Sequence, residues 1–472
     1  MDQLADDQPR WLGIDIGTSS LKALLVDDVG RVIARAAIPY RDARPSLDGD
    51  GAEQDPLSWI DAAREAIATV SVDGVAPRGI GLCGQVPTLV LIDHNGVPVR
   101  PAITWQDGRP TDEAAMLEAR LGDAREHIGV DLPWSPSQLP AKLLWLSRNE
   151  PHLVEQKLQA LQPKDFLGFV LTGSSVSDAW SSKGMVDVRT GEPALAVLAE
   201  TGWATDVCPP IADAWAQRGL TVADALGLPA GIPVSVGWSD AMASMLAIGA
   251  FSRPMAFVLT GTSEIVGLSI EGGDVEAPGL YSIPVSCAPR AVVYGPTQSS
   301  GAALNWLARL FGRQLDELVE LAGSARASAA PVFVPYLSGE RAPLWRHDVR
   351  AVFAGVDARH GLPEFVRSVM RGIALSASHI LRVASGAAGV QIDEVHIAGR
   401  SANDEVWRDL RLESLGVPVL LHREPFTSAL GAAMLGRAAA TGSLDGVDQL
   451  CAPPIRFEAD STTSSVSQQL LD

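Results

Sequence analysis

The sequence lacks the features that mark several specialised classes of protein. Its 472 residues include only four cysteines, at positions 83, 208, 287 and 451, which are too widely spaced for a zinc motif or a disulfide framework. No apolar run approaches the length of about 18 residues that a membrane span requires, and residues 1–10 carry no apolar signal core. We therefore expect a protein of the reduced cytoplasm with no membrane partner.

Basic residues are also scarce, because 37 Lys and Arg stand against 56 Asp and Glu and leave a formal charge of −19. A chain this acidic repels a phosphate backbone at long range, so we expect no nucleic-acid partner. An anionic ligand then has to be held locally, by backbone N–H groups, a bound cation or one well-placed Arg. The apolar fraction of 47% excludes a mainly disordered chain, and the length suits two or three domains.

The pattern from Trp11 to Tyr40 predicts three strands in succession, the first two joined by a Gly-Thr-Ser-Ser turn. This β-meander argues against a parallel Rossmann unit. About 245 residues later, a strand over 255–259, the turn Thr260-Gly261-Thr262-Ser263 and a strand over 264–270 repeat the opening pattern. We therefore expect two related α/β domains with a ligand cleft between them, and a boundary near 251–254. Helices are predicted over 57–70, 111–121 and 140–148, with strands over 79–83 and 88–93.

The opening turn, Asp15-Ile16-Gly17-Thr18-Ser19-Ser20, carries groups that suit a phosphorylated ligand. A carboxylate at the end of a strand offers an oxygen to a metal ion, and the turn offers N–H and hydroxyl groups to phosphate oxygens. A plain hairpin turn is the alternative interpretation, since Gly and Ser are common there. The repeat at Thr260–Ser263 favours the functional interpretation, because turn statistics rarely place two such hairpins in one chain.

A second carboxylate, Asp240, lies between a short apolar run over 231–236 and a helix of small residues over 241–248. Asp is a favoured helix N-cap, and taken alone the pattern favours that role. The other interpretation is a general base that accepts a hydroxyl proton as the oxygen attacks phosphorus.

Gln85 and the segment from Trp105 to Arg109 suit a polyhydroxylated ligand, because they combine amide, indole and carboxylate groups near strand ends. The alternatives are a core position for Trp105 and a surface ion pair for Arg109. Glu340 and Arg341 are interpreted as solvated or paired structurally. The segment 397–403 predicts a strand, a Gly turn and a helix start, which could set a flat base against bare backbone.

Together these pieces resemble the FGGY family of carbohydrate kinases, which has the actin-like (ribonuclease H-like) fold with two α/β domains and a cleft. The resemblance runs from Trp11 to about Gly442 and indicates a xylulokinase-like member with an altered substrate pocket. It implies a sugar-binding and catalytic domain over 11–251, a nucleotide-binding domain over 252–442, and a partly flexible extension over 443–472. The matching segments are Gly13–Lys22, Glu53–Pro56 with Trp59, Pro101–Arg109, Lys142–Leu146, Thr260–Ser263, Ser338–Trp345 and Thr427–Ala433.

The resemblance also implies roles for individual residues. Asp240 is then the general base rather than a cap, and Asp15 helps to hold Mg²⁺ through water. The residues implied to meet the phosphates of ATP are Gly17, Thr18, Ser19, Gly261 and Thr262. The residues implied to border the rest of the nucleotide are Gly301, Asn305, Gly399, Arg400 and Asn403. The residues implied to surround the sugar are Gln85, Trp105 and Asp240.

Three positions depart from the family pattern. Val86-Pro87 stands where xylulokinases carry Met-His, so the substrate pocket differs from theirs and D-xylulose is disfavoured. Ala398 stands where the family usually has the first of two glycines, in the turn that borders the adenosine. This difference implies less space for the nucleotide at that turn. Arg371 stands where the family usually has an acidic residue.

The sequence therefore predicts ATP-dependent transfer of a phosphoryl group to a hydroxyl of a small, pentulose-like sugar or polyol. One alternative is an ATPase of the same fold that drives conformational change, but such a protein should lack the Gln85 and Trp105 cluster. The other is a catalytically silent sugar or nucleotide sensor, which should have lost Asp15 or Asp240. Dimers are common in the family, so the resemblance admits a homodimer.

Overall fold

The computed structural model describes residues 8–40, 51–71, 73–325, 330–346 and 348–459. Of the extension over 443–472 that is expected to be partly flexible, residues 460–472 lie outside the described residues. The strands are β1 (Arg10–Ile16), β2 (Ser20–Asp27), β3 (Val32–Pro39), β4 (Glu53–Gln54), β5 (Gly79–Gly84), β6 (Val90–Ile92), β7 (Ala102–Ile103), β8 (Gln159–Leu161), β9 (Gln217–Leu220), β10 (Pro233–Ser235), β11 (Trp238–Ser239), β12 (Met255–Thr260), β13 (Ile265–Ser269), β14 (Tyr281–Ile283), β15 (Val292–Pro296), β16 (Val332–Val334), β17 (Val352–Ala354), β18 (Val395–Gly399), β19 (Val419–Leu421) and β20 (Ile455–Phe457). The α-helices are α1 (Pro56–Val70), α2 (Thr111–Leu121), α3 (Ala124–Ile128), α4 (Leu139–Asn149), α5 (Pro163–Thr172), α6 (Leu195–Thr201), α7 (Asp240–Ala247), α8 (Gly301–Phe311), α9 (Leu315–Ser324), α10 (Leu362–Ala388), α11 (Glu405–Leu415) and α12 (Thr427–Thr441).

The chain folds into two compact units. The first unit contains the described residues up to Gly249 together with Ser286–Pro289 and Phe426–Cys451. The second unit contains Ala250–Val285, Arg290–Pro425 and the described residues from Ala452 onward. The break after Gly249 lies close to the predicted boundary. The sequence-based division differs at the C-terminal end, because it counts residues 427–442 with the second domain, whereas α12 belongs to the first unit.

Close contact between backbones explains why α12 joins the first unit. A Cβ atom added to Gly81 in β5 would lie 1.6 Å from the carbonyl oxygen of Ala432, and one added to Gly13 in β1 would lie 1.9 Å from that of Ala429. Glycines in the two strands and small residues on the helix therefore let α12 rest directly on the sheet. The helix and the strands are separated by more than 300 residues of sequence, so no local pattern reveals this packing.

The main sheet of the first unit has the strand order β3-β2-β1-β5-β10-β9, with β11 also paired to β5. Strands β1, β2 and β3 are antiparallel, which confirms the predicted meander, and β5 runs parallel to β1. The parallel register sets Ile16 of β1 and Ser239 of β11 opposite Gly84 of β5. Because parallel strands end at the same edge of a sheet, the residues that follow these three strands lie together.

The main sheet of the second unit repeats this plan with the order β14-β15-β13-β12-β18-β19-β20. Strands β12 and β13 form an antiparallel hairpin, and β18 runs parallel to β12 with Thr260 opposite Gly399. The repeat predicted from the two Gly-Thr-Ser turns is thus present in the backbone.

The predicted helices are found within two residues of their expected ends. Helix α1 begins after Asp55, which accepts a hydrogen bond from the backbone N–H of Leu57, and Pro56 occupies its first position. It buries Trp59, Ala63 and Ile67 against the sheet of the first unit. Within the described ranges, no helix is both long and apolar enough to cross a membrane.

Candidate active site

The first unit gathers three sequence-predicted residues at one edge of its sheet. Asp15 is in β1 just before the turn, Gln85 follows β5, and Asp240 follows β11 as the first residue of α7. The backbone N–H of Gln85 donates to the carbonyl oxygen of Ile16 at 2.9 Å, which extends the parallel ladder to the beginning of the turn. The topology therefore brings together a turn, an amide and two carboxylates that lie far apart in the sequence.

Asp15 is 1% exposed and is held on one side only. Its Oδ2 atom accepts hydrogen bonds from Lys22 Nζ at 3.1 Å and from Ser428 Oγ at 2.6 Å. Its Oδ1 atom is buried and has no hydrogen-bond partner among the described residues. A buried acceptor of this kind is costly unless a ligand or water satisfies it, so Oδ1 is a candidate ligand-facing atom.

Asp240 does not cap its helix, which excludes the role favoured by the local pattern. The N-cap is Ser239, whose side chain accepts from the backbone N–H of Met242. Asp240 Oδ1 accepts from the N–H of Ala241 at 2.7 Å. Burial, followed by the negative charge of Asp15, raises the pKa of Asp240 to about 7, against the lowering effects of that N–H and of Lys22. A carboxylate with such a pKa is suited to exchange a proton near neutral pH.

Gln85 and Trp105 contact the turn of the first unit. Trp105 Nε1 donates to Thr18 Oγ1 at 3.0 Å, and Gln85 Nε2 donates to Gln54 Oε1 at 2.9 Å. Gln54 in turn donates to the carbonyl oxygen of Thr18 at 2.6 Å. Gln85 Oε1 is buried and accepts no hydrogen bond from the described part of the chain. Both predicted sugar-binding residues therefore help to fix the position of the turn at residues 17–20, and Gln85 keeps one acceptor unused.

A buried lysine contacts the Val86-Pro87 segment, and Arg109 lies in a separate set of ion pairs. Lys142 is fully buried and donates from Nζ to the carbonyl oxygen of Pro87 at 2.7 Å. Burial lowers the pKa of Lys142 to about 7. Arg109 forms ion pairs with Glu53 at 2.6 Å and Asp107 at 2.7 Å. The ion-pair interpretation of Arg109 is therefore correct.

The second unit brings its predicted nucleotide residues to one edge of its own sheet. The turn at Thr260–Ser263 joins β12 to β13, and Gly399 ends the neighbouring parallel strand with φ +105°. A Cβ atom at Gly399 would lie 2.4 Å from the carbonyl oxygen of Thr260, so only glycine fits there. The backbone N–H of Gly301, at the start of α8, donates to the carbonyl oxygen of Gly261 at 3.2 Å.

The remaining predicted nucleotide residues lie on the surface near this edge. Asn305 is exposed on the first turns of α8, and Arg400 is exposed just after β18. Asn403 is also exposed, and its side-chain amide donates to the carbonyl oxygen of Arg423 at 3.1 Å. Ala398 is buried and its carbonyl accepts from Thr260 Oγ1 at 3.1 Å, so this departure from the family lies inside the sheet.

Two further predictions concern charged residues of the second unit. Glu340 is 1% exposed and so is not solvated; its Oε1 atom accepts from the backbone N–H groups of Gln298 at 2.6 Å and Arg341 at 2.8 Å, whereas its Oε2 atom is buried without a hydrogen-bond partner among the described residues. Burial raises the pKa of Glu340 to about 7. Arg371 pairs with Glu413 at 3.2 Å, so the positive charge that replaces an acidic residue has a carboxylate partner on α11.

Sequence reasoning did not single out Lys22, Gln54 or Ser428 as site residues, although all three lie in segments that match the family. The contact between Lys22 and Asp15 could have been predicted, because a two-strand hairpin sets the two residues opposite each other. The contact between Ser428 and Asp15 could not, since the two residues are 413 positions apart in the sequence. Within the described ranges, no group of three or more His, Cys, Asp or Glu side chains is arranged to hold a metal ion.

Comparisons with known proteins agree with this architecture. Residues 10–247 match the model of the N-terminal domain of the FGGY family of carbohydrate kinases, and residues 256–440 match that of its C-terminal domain. The xylulose kinase of Escherichia coli strain K12 is 31% identical over 445 residues, which cover 91% of this chain and 90% of that protein. The gluconokinase of Bacillus subtilis strain 168 is 25% identical over 457 residues, covering 93% of this chain and 88% of that protein.

A solved structure is similar over nearly the whole length. The crystal structure of a xyloylose kinase from Brucella ovis has a TM-score of 0.86 and 29% sequence identity, and the match covers 98% of this chain and 97% of that chain. The predicted actin-like (ribonuclease H-like) fold of two α/β domains is therefore confirmed. The chain belongs to the FGGY family of carbohydrate kinases and is a sugar phosphotransferase.

Proposed function

We propose that this kinase transfers the γ-phosphoryl group of MgATP to a hydroxyl of a small, pentulose-like sugar or polyol, with Asp240 as the general base. The observation that carries the proposal is the position of Asp240 near Asp15 and the glycine turn, at the ends of two strands that both run parallel to β5. The raised pKa of Asp240 supports the role, because a base works best when its pKa is near the working pH.

In the proposed reaction Asp240 orients the acceptor hydroxyl and takes its proton as the oxygen attacks phosphorus. The bond from the γ-phosphorus to the β,γ-bridging oxygen breaks as the new phosphorus–oxygen bond forms, and ADP leaves. Lys22, which pairs with Asp15, adds positive charge near the turn. The turn N–H groups of Thr18 and Ser19 stabilise negative charge on the phosphate oxygens. The N–H of Gly17 donates to the carbonyl oxygen of Ser20 at 3.2 Å, so Gly17 contributes the shape of the turn rather than a phosphate donor.

The residues present fit a magnesium ion held through water. Mg²⁺ usually keeps several water ligands and binds few protein carboxylates, so one acceptor such as Asp15 Oδ1 is sufficient. That atom is buried and lacks a hydrogen-bond partner within the described ranges. When bound, the ion neutralises phosphate charge and aligns the transferred group.

The nucleotide is assigned to the second unit. Gly261 and Thr262 would contact the phosphates, while Gly301, Gly399 and the exposed side chains of Asn305, Arg400 and Asn403 would border the nucleoside. The close approach of Gly399 to Thr260 supports this assignment, because bare backbone lets a flat base come near. The first unit then supplies the sugar contacts, with Gln85 Oε1 and Trp105 nearest to the turn.

The substrate is assigned to a class rather than to one sugar. The relatives named as a xylulose kinase and a gluconokinase support an acceptor of five or six carbons. Val86-Pro87 presents no polar side chain, so the pocket makes fewer hydrogen bonds at this point than a Met-His pair would allow. This difference disfavours D-xylulose and leaves other ketopentoses, polyols and sugar acids.

A screen of sugars, polyols and sugar acids by coupled ADP release tests the proposal. We expect at least one compound to accelerate ADP release well above the rate in its absence, and the Asp240→Asn variant to lose that acceleration. Asp213→Asn is the matched control, because Asp213 is an exposed aspartate of the same unit. ATP hydrolysis that no compound stimulates would contradict the proposal and favour the silent sensor.

A further inference from the structure

The second unit contains a buried ion pair that the proposed reaction does not use. Glu264 and Arg411 have side chains that are 0% and 2% exposed, and Arg411 Nη2 hydrogen-bonds to Glu264 Oε1. The guanidinium of Arg411 also lies 5.2 Å from the centre of the Trp407 ring. Replacing a buried ion pair with apolar side chains of similar volume is often neutral or stabilising. Stability alone therefore does not account for this pair.

The pair joins segments that are distant in the sequence. Glu264 directly follows the phosphate turn at 260–263, and its Oε1 atom accepts a hydrogen bond from Ser300 Oγ at 3.1 Å, immediately before α8. Arg411 lies on α11, the helix that follows the nucleotide residues at 399–403. One carboxylate thus connects the phosphate turn, the start of α8 and the helix behind the adenosine turn.

Backbone contacts show that these segments fit together at the nucleotide residues themselves. The N–H of Glu264 donates to Thr297 Oγ1 at 2.9 Å, and the N–H of Thr297 donates to the carbonyl oxygen of Glu264 at 2.9 Å. The N–H of Ser300 donates to the carbonyl oxygen of Thr262 at 3.1 Å. A change at Glu264 would therefore reach Thr262 and the start of α8 through direct hydrogen bonds.

We propose that Glu264 and Arg411 are positioning residues of the nucleotide site, which hold the phosphate turn, the start of α8 and the segment at 399–403 in the arrangement that binds ATP. The proposal rests on the proposed function, because that function assigns the nucleotide to these segments. Neither side chain is required to touch the nucleotide. Burying the two charges costs folding free energy. In return, the backbone groups that meet the phosphates are held in position before ATP binds.

Four variants separate positioning from stability. Glu264→Gln removes one charge and leaves Arg411 buried without its anion, so it is expected to lower the melting temperature. The double variant Glu264→Leu/Arg411→Met removes both charges at similar volume and is expected to fold. Ser300→Ala removes one hydroxyl that makes no helix-capping hydrogen bond. Glu413→Gln is the matched control, since Glu413 is also on α11 but pairs with Arg367 and Arg371 instead.

The readouts are the ATP dissociation constant from calorimetry, the separate KM values for ATP and sugar, and the melting temperature. We expect the double variant to bind ATP about tenfold to about a hundredfold more weakly, with a sugar KM close to that of the wild type. Ser300→Ala should weaken ATP binding about fivefold. Glu413→Gln should leave ATP binding unchanged.

An unchanged ATP dissociation constant in the folded double variant, or in Ser300→Ala, would overturn the positioning role. Equal losses for ATP and sugar would also overturn it, because they indicate general destabilisation. A wild-type protein that binds no ATP would overturn the proposed function as well. This outcome can be told apart from the others because it is measured on the protein without any substitution.

Discussion

Replacing Asp240 with Asn removes a charge and leaves the shape of the side chain almost unchanged. The retained Oδ1 atom still accepts from the N–H of Ala241, so α7 should begin as before. A general base contributes roughly 10² to 10⁴ in rate, which equals about 3 to 5 kcal/mol of transition-state stabilisation. We therefore expect turnover with the best sugar to fall by about that factor, while ATP binding stays close to the wild-type value.

The same substitution should stabilise the fold above neutral pH. The pKa of Asp240 is raised from 3.8 to about 7, so the folded protein favours the protonated carboxyl and loses stability as the pH rises between these values. A shift of this size corresponds to at most about 4 kcal/mol at about pH 8, and to about 1.5 kcal/mol at about pH 5. Asn is neutral throughout and carries no such penalty.

Two measurements test these magnitudes on the same preparation. Coupled ADP release gives turnover, and urea unfolding at about pH 5 and about pH 8, without nucleotide and with a chelator, gives the free energy of unfolding. The stability advantage of the variant over the wild type should increase by about 2.5 kcal/mol between the two pH values. A variant with near-normal turnover would refute the role of Asp240, and a variant destabilised at high pH would refute the electrostatic argument.

Three other perturbations have expected outcomes. Asp15→Asn should raise the Mg²⁺ concentration for half-maximal activity about tenfold at saturating ATP, and an unchanged requirement would exclude Asp15 from the metal site. Burial lowers the pKa of His396 to about 4 and of His422 to about 3, so below about pH 6.5 these residues take up protons more readily in the unfolded chain than in the folded one. The free energy of unfolding should therefore fall as the pH drops from about 6.5 towards 4. A pH profile as flat as that of a variant with both histidines replaced by Phe would contradict this. Gly81→Ala should destabilise by about 3 kcal/mol or more in urea unfolding, because its Cβ would meet a carbonyl of α12 at 1.6 Å, whereas exposed Gly386→Ala should be neutral or stabilising.

The sequence predicted those parts of the fold whose signals are local. The meander from Arg10 to Pro39 and helix α1 follow from apolar periodicity and from the Asp55-Pro56 start signal, which need no distant partner. The assignment of α12 is different in kind. It depends on backbone contact with Gly13 and Gly81, and nothing within the helix itself distinguishes which sheet it will cover.

The candidate site divides in the same way. Asp15, Gln85 and Asp240 are grouped by the resemblance to the family, and the structure supplies the physical reason, because β1 and β11 both run parallel to β5 and parallel strands share an edge. The residues that hydrogen-bond to these side chains could not be predicted from the sequence. Ser428 reaches Asp15 only through tertiary packing, and the side chain of Gln54 mediates between Gln85 and the turn in a way that spacing does not reveal.

The two units share one backbone plan. In each unit a Gly-Thr-Ser turn joins an antiparallel hairpin whose first strand lies beside a parallel strand, β5 in the first unit and β18 in the second. Each hairpin also carries a buried acid paired with a cation, Asp15 with Lys22 and Glu264 with Arg411.

The two units differ at the strand next to this parallel strand, which is β11 in the first unit and β19 in the second. In the first unit Asp240 follows β11 at the sheet edge, whereas β19 of the second unit is followed by His422, which is buried against His396. Only the first unit therefore presents a partly exposed carboxylate with a raised pKa at this point of the plan. If proton transfer depends on that single difference, removing the charge of Asp240 should slow phosphoryl transfer by about 10² to 10⁴ and leave the affinity for ATP, which we assign to the second unit, unchanged. A weaker affinity for ATP in Asp240→Asn would show that the two tasks are not separated in this way.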